Sequence, residues 1–201
     1  MRRLPILMAG ALVAPMLACS SAPLTIATVP ASPSLTGYVL AYTATNGSFR
    51  TWFGNQSPTV GDNNTNVFGE SMRAVITFAL PAPPTNATLR SATLAIAQCQ
   101  TTGAPFASLG DVVADHLVPT SAPDSATYDT TAMATAVATI AADSSLLTAK
   151  VALTSSVAAD YAAGNTTSMY RLRFSTRDNN GGEVTDDVVF CPPTLTLTFE
   201  Q

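Results

Sequence analysis

The sequence predicts an all-β protein, an antiparallel β-sandwich with one short helix. Three observations lead to this prediction. Apolar and polar residues alternate with a period of two in several segments, as they do in half-buried strands. Clusters of turn-forming residues separate these segments. Hydrophobic residues make up 47% of the chain and charged residues only 11%, a composition that suits one domain with a sizeable core and argues against disorder.

Four segments alternate most clearly. In each of them one face is apolar and the other carries Arg, Ser or Thr, so each is predicted to be an antiparallel strand with one buried face. These segments are residues 72–80, 91–98, 170–175 and 194–199. Weaker patterns predict further strands at residues 37–43, 48–53, 111–118, 147–153 and 185–190.

One short helix is predicted at about residues 155–163. Thr154 or Ser155 can cap its start, and Gly164 followed by Asn165 can end it. The segment 128–142 is ambiguous, because its Ala residues favour a helix whereas its Thr and Val residues do not. We expect that segment to be irregular or to form a short helical turn.

Residues 1–18 have the layout of an export signal: two arginines, an uncharged apolar run and small residues at the end. The run is too short to span a bilayer. The sequence ending at Cys19 resembles the lipobox of bacterial lipoproteins, which implies a lipidated Cys19 and an anchor in the cell envelope. Ser20 after the cysteine is typical of outer-membrane lipoproteins. Met16 stands where Leu is usual, so simple secretion with a cut after Ala22 is the alternative.

The segment after the signal is predicted to be a tether. Residues 19–35 would comprise the lipidated cysteine and a flexible linker, since Pro23, Pro30 and Pro33 among small polar residues interrupt regular structure. The β-sandwich domain would then extend over residues 36–201.

The charge of the chain narrows the choice of partners. Without the two N-terminal arginines, 7 basic and 13 acidic residues remain, a formal net charge of −6. No cluster of basic residues is present in the sequence, so nucleic acid is excluded as an expected partner.

The two remaining cysteines are predicted to be paired. Cys99 and Cys191 are left once Cys19 is lipidated or removed with the signal, and an even number of cysteines in an exported protein indicates a disulfide. The bond would close a loop of roughly 90 residues. Two buried thiols are the alternative.

Several segments together resemble a known family. Residues 73–80, a short Pro-containing gap and residues 86–96 look like the centre of DNRLRE-type domains, and residues 157–164 and 193–199 fit the later part of that pattern. The likeness covers about residues 37–200. Such domains are jelly-roll sandwiches similar to carbohydrate-binding modules on secreted and surface proteins. The resemblance therefore implies a jelly-roll-like sandwich and a polysaccharide ligand.

The aromatic residues near the start of the domain are candidates for sugar binding, which uses exposed rings as stacking platforms. Trp52 is the only tryptophan of the chain, and Phe53 and Tyr42 lie close to it in sequence, as do Tyr38 and Phe49. We take Trp52, Phe53 and Tyr42 as candidate ligand-binding residues. The alternative is packing in the core, the more common fate of an aromatic residue in a strand.

One acidic and amide cluster is a candidate calcium site. Asp62, Asn64 and Asn66 place oxygen donors at alternate positions, as in the opening of a calcium-binding loop, but the glycine of such a loop is missing. The alternative is an ordinary turn. A second cluster, residues 178–183, contains Asn-Gly, which is a strong signal of a hairpin turn.

The single histidine, His116, follows Asp115. In a strand these neighbours point to opposite faces, so they would not form a catalytic pair, and we interpret His116 as a structural or surface residue. The sequence contains none of the common motifs for a nucleophilic serine, a zinc protease or a phosphate-binding loop. We therefore assign no catalytic residue.

The sequence as a whole predicts a non-catalytic, surface-anchored module that binds extracellular or cell-surface glycan. It would need no cofactor beyond structural calcium. Two alternatives stay open. The protein could be a structural or adhesive component of the envelope that binds a protein partner. It could also, with less support, be a hydrolase whose paired carboxylates meet only in the fold.

Overall fold

Two antiparallel sheets stack face to face in the computed structural model, which describes residues 24–42, 48–63, 69–181 and 184–201. The prediction of an antiparallel, all-β sandwich is confirmed. The strands, numbered in chain order, are β1 (Leu24–Pro30), β2 (Gly37–Tyr42), β3 (Ser48–Phe53), β4 (Thr59–Asn63), β5 (Glu70–Ala79), β6 (Thr88–Thr102), β7 (Val112–Leu117), β8 (Ala134–Ala141), β9 (Thr148–Ala152), β10 (Thr167–Phe174), β11 (Asp186–Phe190) and β12 (Thr194–Glu200).

The first sheet has the strand order β1–β12–β6–β9. The second sheet has the order β3–β2–β5–β10–β7–β8. Two short strands connect the sheets. β4 pairs with the start of β5 and with β11, and β11 pairs with the second half of β6. The 15-residue strand β6 therefore belongs to both layers.

The core lies between the sheets and consists of the predicted apolar faces. Every second residue of β12 and most inward positions of β5 are buried, as the alternation in the sequence predicts. Each large apolar side chain that is fully buried contributes about 1.5–3 kcal/mol to folding. The largest of these side chains are Tyr170, Phe78, Phe174, Phe190 and Phe199.

The predicted tether is wrong from Leu24 onwards, because Leu24–Pro30 forms the edge strand β1 along the full length of β12. Pro30 is the last residue of this edge strand, a position where proline is tolerated. Ala27 and Val29 pack against the core, while Ile26 on the opposite face is 66% exposed. β1 therefore covers part of the core at the edge of the first sheet.

The predicted helix is present as α2 (Thr154–Ala162), preceded along the chain by a four-residue helix, α1 (Pro105–Ser108), that the sequence did not predict. Thr154 does not cap α2. Its Oγ1 accepts a hydrogen bond from the backbone N–H of Ala92 at 3.1 Å, which ties the helix to β6.

The expectation of irregular or helical structure at residues 128–142 is wrong for most of that segment. A 3₁₀ turn occupies Ser125–Tyr128, and Ala134–Ala141 is the strand β8. β8 forms because its Val, Ile and Thr residues fit a pleated surface and because β7 offers a free edge for pairing. Pairing with β7 therefore outweighs the helix preference of the alanines in this segment.

A second apolar cluster covers the outer face of the second sheet. Its buried members come from β2, β5, β7 and β10, and Tyr128 closes it from the segment that precedes β8; they are Val39, Ala41, Val75, Leu117, Met169 and Tyr128. The hydroxyl of Tyr128 is hydrogen-bonded to Ser71 Oγ at 2.6 Å. The second sheet is thus buried on both faces around β5 and β10.

A buried ion cluster holds that segment in place. The carboxylate of Asp115 accepts hydrogen bonds from Arg171 and Arg173, with nearest distances of 2.8 Å to each. Arg171 Nη1 also donates to the carbonyl oxygens of Tyr128 at 2.8 Å and of Thr130 at 2.9 Å. We call Asp115, Arg171 and Arg173 the arginine–aspartate cluster. It links β7 and β10 to the segment over the second apolar cluster.

Tyr128 should make the stability of the protein sensitive to alkaline pH. Burial, reinforced by the negative charge of Asp178, raises the pKa of Tyr128 to about 12. A pKa that is higher in the folded than in the unfolded state, where it is about 10, adds stability that is present below about pH 10 and is lost as the pH rises through the folded value. We expect Tyr128→Phe to reduce the loss of unfolding free energy between about pH 10 and pH 12, as measured by urea denaturation. An unchanged pH dependence would contradict this.

Candidate functional site

The edge of the second sheet carries a row of aromatic and cationic side chains. β3 is paired with β2, and the register places Trp52 opposite Tyr38 and Arg50 opposite Leu40. The rings of Tyr38 and Trp52 are stacked, with 5.5 Å between centroids and 13° between planes. The guanidinium of Arg50 lies 5.6 Å from the centroid of the Tyr42 ring. We call Tyr38, Tyr42, Arg50 and Trp52 the aromatic strip.

The aromatic strip is open to solvent over part of its surface. Arg50 is exposed, and its three aromatic members are half-buried. From Tyr38 to Tyr42 the strip extends over four residue steps of β2, or about 13 Å at 3.3 Å per residue. Half-buried rings offer apolar faces, and the guanidinium offers several N–H donors in a fixed plane. This combination can bind a ligand that has both C–H surfaces and hydroxyl groups.

A shallow groove of about 480 Å³ runs along the outer side of β3. On one side it is bordered by four consecutive residues of β3 and on the other by the start of the segment that covers the second apolar cluster. The lining residues are Phe49, Arg50, Thr51, Trp52, Pro123, Asp124 and Ser125. The groove meets the strip at Arg50 and Trp52, which belong to both.

The structure separates the three aromatic residues that the sequence put forward. Trp52 and Tyr42 belong to the aromatic strip, but Phe53 points to the opposite face and packs against the second apolar cluster. The structure therefore does not bring Phe53 to the strip, because successive side chains of a strand face opposite ways, and its role in ligand binding stays a prediction. Arg50 was missed. Its place between the aromatic rings depends on the register of β2 and β3, and no local signal in the sequence gives that register.

The predicted calcium ligands can be placed in part. Asn64 and Asn66 lie outside the described residues, while Asp62 is fully buried in β4. Asp62 Oδ1 accepts a hydrogen bond from the backbone N–H of Asp186 at 2.9 Å, and Oδ2 accepts one from that of Asn180 at 3.0 Å. Within the described ranges no group of three or more His, Cys, Asp or Glu residues could hold a metal ion. Calcium at this position stays a prediction.

Asp62 and Asp186 lie opposite each other where β4 and β11 pair, and Asp187 is the next residue of β11. Asp62 and Asp186 are bound by backbone and side-chain donors, including the N–H of Ala104 at 2.6 Å from Asp186 Oδ1. Burial raises the pKa of Asp187, and the charges of Asp62 and Asp186 add to this effect. The hydrogen bonds show that Asp62 and Asp186 fasten loops to the sheet. This use does not favour the hydrolase alternative.

His116 is buried, with 2% of its surface exposed, and has a partner that the sequence did not indicate. Its Nε2 is 2.9 Å from Oδ2 of Asp160 in α2, and Asp160 Oδ1 accepts a hydrogen bond from Asn165 at 3.0 Å. Asp115 points to the opposite face of β7, as expected, and pairs with the arginines instead. Contact between residues 44 positions apart depends on how α2 packs, which explains why it was missed.

The predicted disulfide between Cys99 and Cys191 is present, with 5.3 Å between the Cα atoms. Cys19 and the expected export signal lie outside the described residues. In the part of the chain that the structure describes, no helix has the length and apolar character needed to cross a membrane.

Comparison with known proteins adds no identification. No protein-family model matches the chain, and no curated protein matches it in sequence. The resemblance to DNRLRE-type domains therefore stays a prediction.

Proposed function

We propose that the protein is a non-catalytic binding module for extracellular or cell-surface glycan, and that the aromatic strip is its binding surface. One observation carries this proposal: the parallel Tyr38–Trp52 pair stands beside an exposed Arg50 at an open sheet edge. The class of ligand agrees with the one that the resemblance to DNRLRE-type domains implies.

The chemistry of sugars matches this surface. A pyranose ring presents C–H groups on its faces and hydroxyl groups on its rim, so it can pack on an aromatic ring and hydrogen-bond to a guanidinium at the same time. A strip of about 13 Å can contact more than one sugar unit of an extended chain. The acidic balance of the domain, with 13 acidic and 7 basic residues after the two N-terminal arginines, would repel a polyanion. Neutral glycans are therefore the proposed ligands.

The proposed location is the bacterial cell envelope, with a lipid anchor at Cys19 and the outer membrane as the membrane concerned; secretion is the alternative. Five peptide steps separate Cys19 from Leu24, which is a reach of at most about 18 Å at 3.3–3.6 Å per residue. A lipidated Cys19 would thus hold the start of β1 close to a membrane surface. A glycan of the cell surface would be within reach of a domain held in this way.

The test is a glycan array with the purified full-length protein in detergent, followed by titration of the ligands that bind. We expect binding to neutral glycans, and a loss of at least about tenfold in affinity for Trp52→Ala, since a tryptophan that contacts a ligand often dominates the binding energy. Because Trp52 is the only tryptophan, its fluorescence should change on binding. Array binding that is absent, or equal for Trp52→Ala and the wild type, would overturn the proposal.

A matched pair of arginine variants controls for loss of charge. Arg50→Ala removes the cation of the strip, whereas Arg90→Ala removes an arginine whose side chain is 57% exposed on β6 in the other sheet. We expect Arg50→Ala to weaken glycan binding and Arg90→Ala to leave it unchanged. Equal effects of the two variants would indicate attraction by net charge rather than contact with the strip.

A second candidate function, a structural or adhesive protein that binds a protein partner, is favoured by one observation. Leu146 and Leu147, next to each other in the turn between β8 and β9, are 62% and 77% exposed. Neighbouring exposed leucines are typical of interaction surfaces. If no glycan binds, this candidate is tested with a variant in which both leucines are replaced by serine. We expect the wild type to capture envelope proteins and the variant not to capture them.

A further inference from the structure

A cavity of about 430 Å³ opens between β8, α2 and the end of β7, on the side of the second sheet opposite to β3. Its volume lies in the range of small-molecule sites. One part of its wall is apolar and includes Met133, Val137 and Leu153; the other part is polar and includes His116, Ser155 and Ser156. The cavity shares no residue with the aromatic strip or the groove beside it.

The imidazole of His116 is held rigidly at the wall of this cavity. Nε2 bonds to the buried carboxylate of Asp160, and the ring packs against Tyr170 with 5.4 Å between centroids. Within the described residues the side chain makes this one hydrogen bond, so Nδ1 has no protein partner there. When Nε2 donates its proton to a carboxylate, Nδ1 of the neutral ring is an acceptor. In this tautomer His116 provides a hydrogen-bond acceptor at the cavity wall.

The start of α2 provides donors at the same cavity. The helix has nine residues, Leu153 stands at its N-cap position, and no side chain caps its first turn. The first N–H groups of a helix have no partner within the helix. Ser155 and Ser156 lie in this turn, and both line the cavity. A ligand in the cavity would therefore meet an acceptor on one side and hydroxyl and N–H donors on another.

Two opposite charges favour an uncharged ligand. The carboxylate of Asp160, which lies directly behind the imidazole, would repel an anion in the cavity. The positive end of the α2 dipole would repel a cation. A hydroxyl group is both donor and acceptor, so it satisfies Nδ1 and the helix start together. We propose that this cavity binds a small uncharged hydroxylated ligand, about the size of one sugar ring, through a hydrogen bond to Nδ1 of His116.

Nuclear magnetic resonance can test this proposal directly, because His116 is the only histidine of the chain and every imidazole resonance therefore belongs to it. The full-length protein is titrated with glucose, N-acetylglucosamine and glycerol as neutral probes, and with acetate as an anionic probe. We expect at least one neutral probe to shift the Nδ1 resonance in a saturable manner and acetate to leave it unchanged. A response to acetate alone, or to no probe, would overturn the proposal.

Two alanines of α2 offer a matched pair of variants. Ala159 is exposed and lines the cavity, whereas its neighbour Ala158 is exposed and does not. Leucine is a good helix former at either position. Ala159→Leu would fill the cavity and should lower the affinity for the neutral probe by at least about tenfold, since a packed site does not accept added volume. Ala158→Leu should leave that affinity unchanged. Equal affinity of these two variants for the probe would refute the proposal. Unchanged binding of the probe by Trp52→Ala would show that the aromatic strip is not involved.

Discussion

Replacement of Asp115 by alanine is expected to lower the free energy of unfolding by about 3–5 kcal/mol, the range for removal of one partner from a buried ion pair. Asp115 is fully buried, and Arg171 beside it is 6% exposed. Without the carboxylate, two guanidinium groups would remain largely buried with no counter-charge. The backbone N–H of Ala136, 3.0 Å from Asp115 Oδ1, would also lose its acceptor. The φ angle of Ala136 is 49°, so that contact stabilises a strained residue.

A surface ion pair of the same fold serves as the control. Asp129 is 2.9 Å from Arg73, but its side chain is 69% exposed. Exposed pairs contribute about 0–1 kcal/mol, so Asp129→Ala should lower stability far less than Asp115→Ala. Denaturation by guanidinium chloride, followed by circular dichroism, gives both values. If Asp115→Ala lowers the free energy of unfolding by no more than the small amount expected for Asp129→Ala, the arginine–aspartate cluster does not hold the fold together.

The same cluster should determine part of the response to acid. Burial alone would raise the pKa of Asp115, but hydrogen bonds from Arg173, the backbone of Ala136 and Arg171 together keep that pKa below its ordinary value. A pKa that is depressed in the folded state adds stability above the unfolded pKa, and this stability is lost as the pH falls through the folded value. Asp115→Ala should therefore show a smaller loss of stability than the wild type below about pH 4.

The sequence predicted those parts of the fold that depend on local pattern. Alternating side chains identified β5, β10 and β12, because one buried face imposes a period of two on every strand of a sandwich. Counting cysteines identified the disulfide, since the predicted export would leave two of them in an oxidising compartment. Both arguments need no knowledge of which strand lies next to which.

The remaining features depend on long-range pairing, which explains why the sequence did not reveal them. β1 and β8 are edge strands with weak patterns, and each is stabilised by one neighbour, β12 or β7. The contact of Arg50 with Tyr42 requires the register of β2 and β3, and that of His116 with Asp160 requires the packing of α2. Contacts of this kind can be recognised only when strand register and helix packing are known.

Removal of the disulfide is expected to have the largest effect of any change outside the core. Cys99 and Cys191 are 92 positions apart, and closing a loop of that length removes unfolded-state entropy worth about 4–5 kcal/mol in the chain-entropy model. Small domains are often stable by only about 5–15 kcal/mol. The double variant Cys99→Ala with Cys191→Ala should therefore unfold at a much lower denaturant concentration than the wild type.

The position of the bond indicates how the folded state will respond to its loss. Cys99 lies at a bulge of β6, between Gln98 and Gln100, which pair with Phe190 and Val189. The backbone N–H of Cys191 also donates to the carbonyl of Ala97 at 2.9 Å. Because these backbone pairs persist without the sulfur atoms, the native sheets should remain, and circular dichroism of the reduced protein should match that of the oxidised protein.

The entropic origin of this stabilisation can be tested separately from its size. A chain without the cross-link exposes more surface when it unfolds, so the dependence of unfolding free energy on denaturant should become steeper as the midpoint falls. Reduction of the wild type by dithiothreitol should give the same midpoint as the double alanine variant, since both remove the same constraint. If the midpoint falls but the slope stays constant, the bond acts through contacts in the folded state. If neither changes, the sheets alone fix the junction of β6 and β11, and the cross-link contributes nothing to stability.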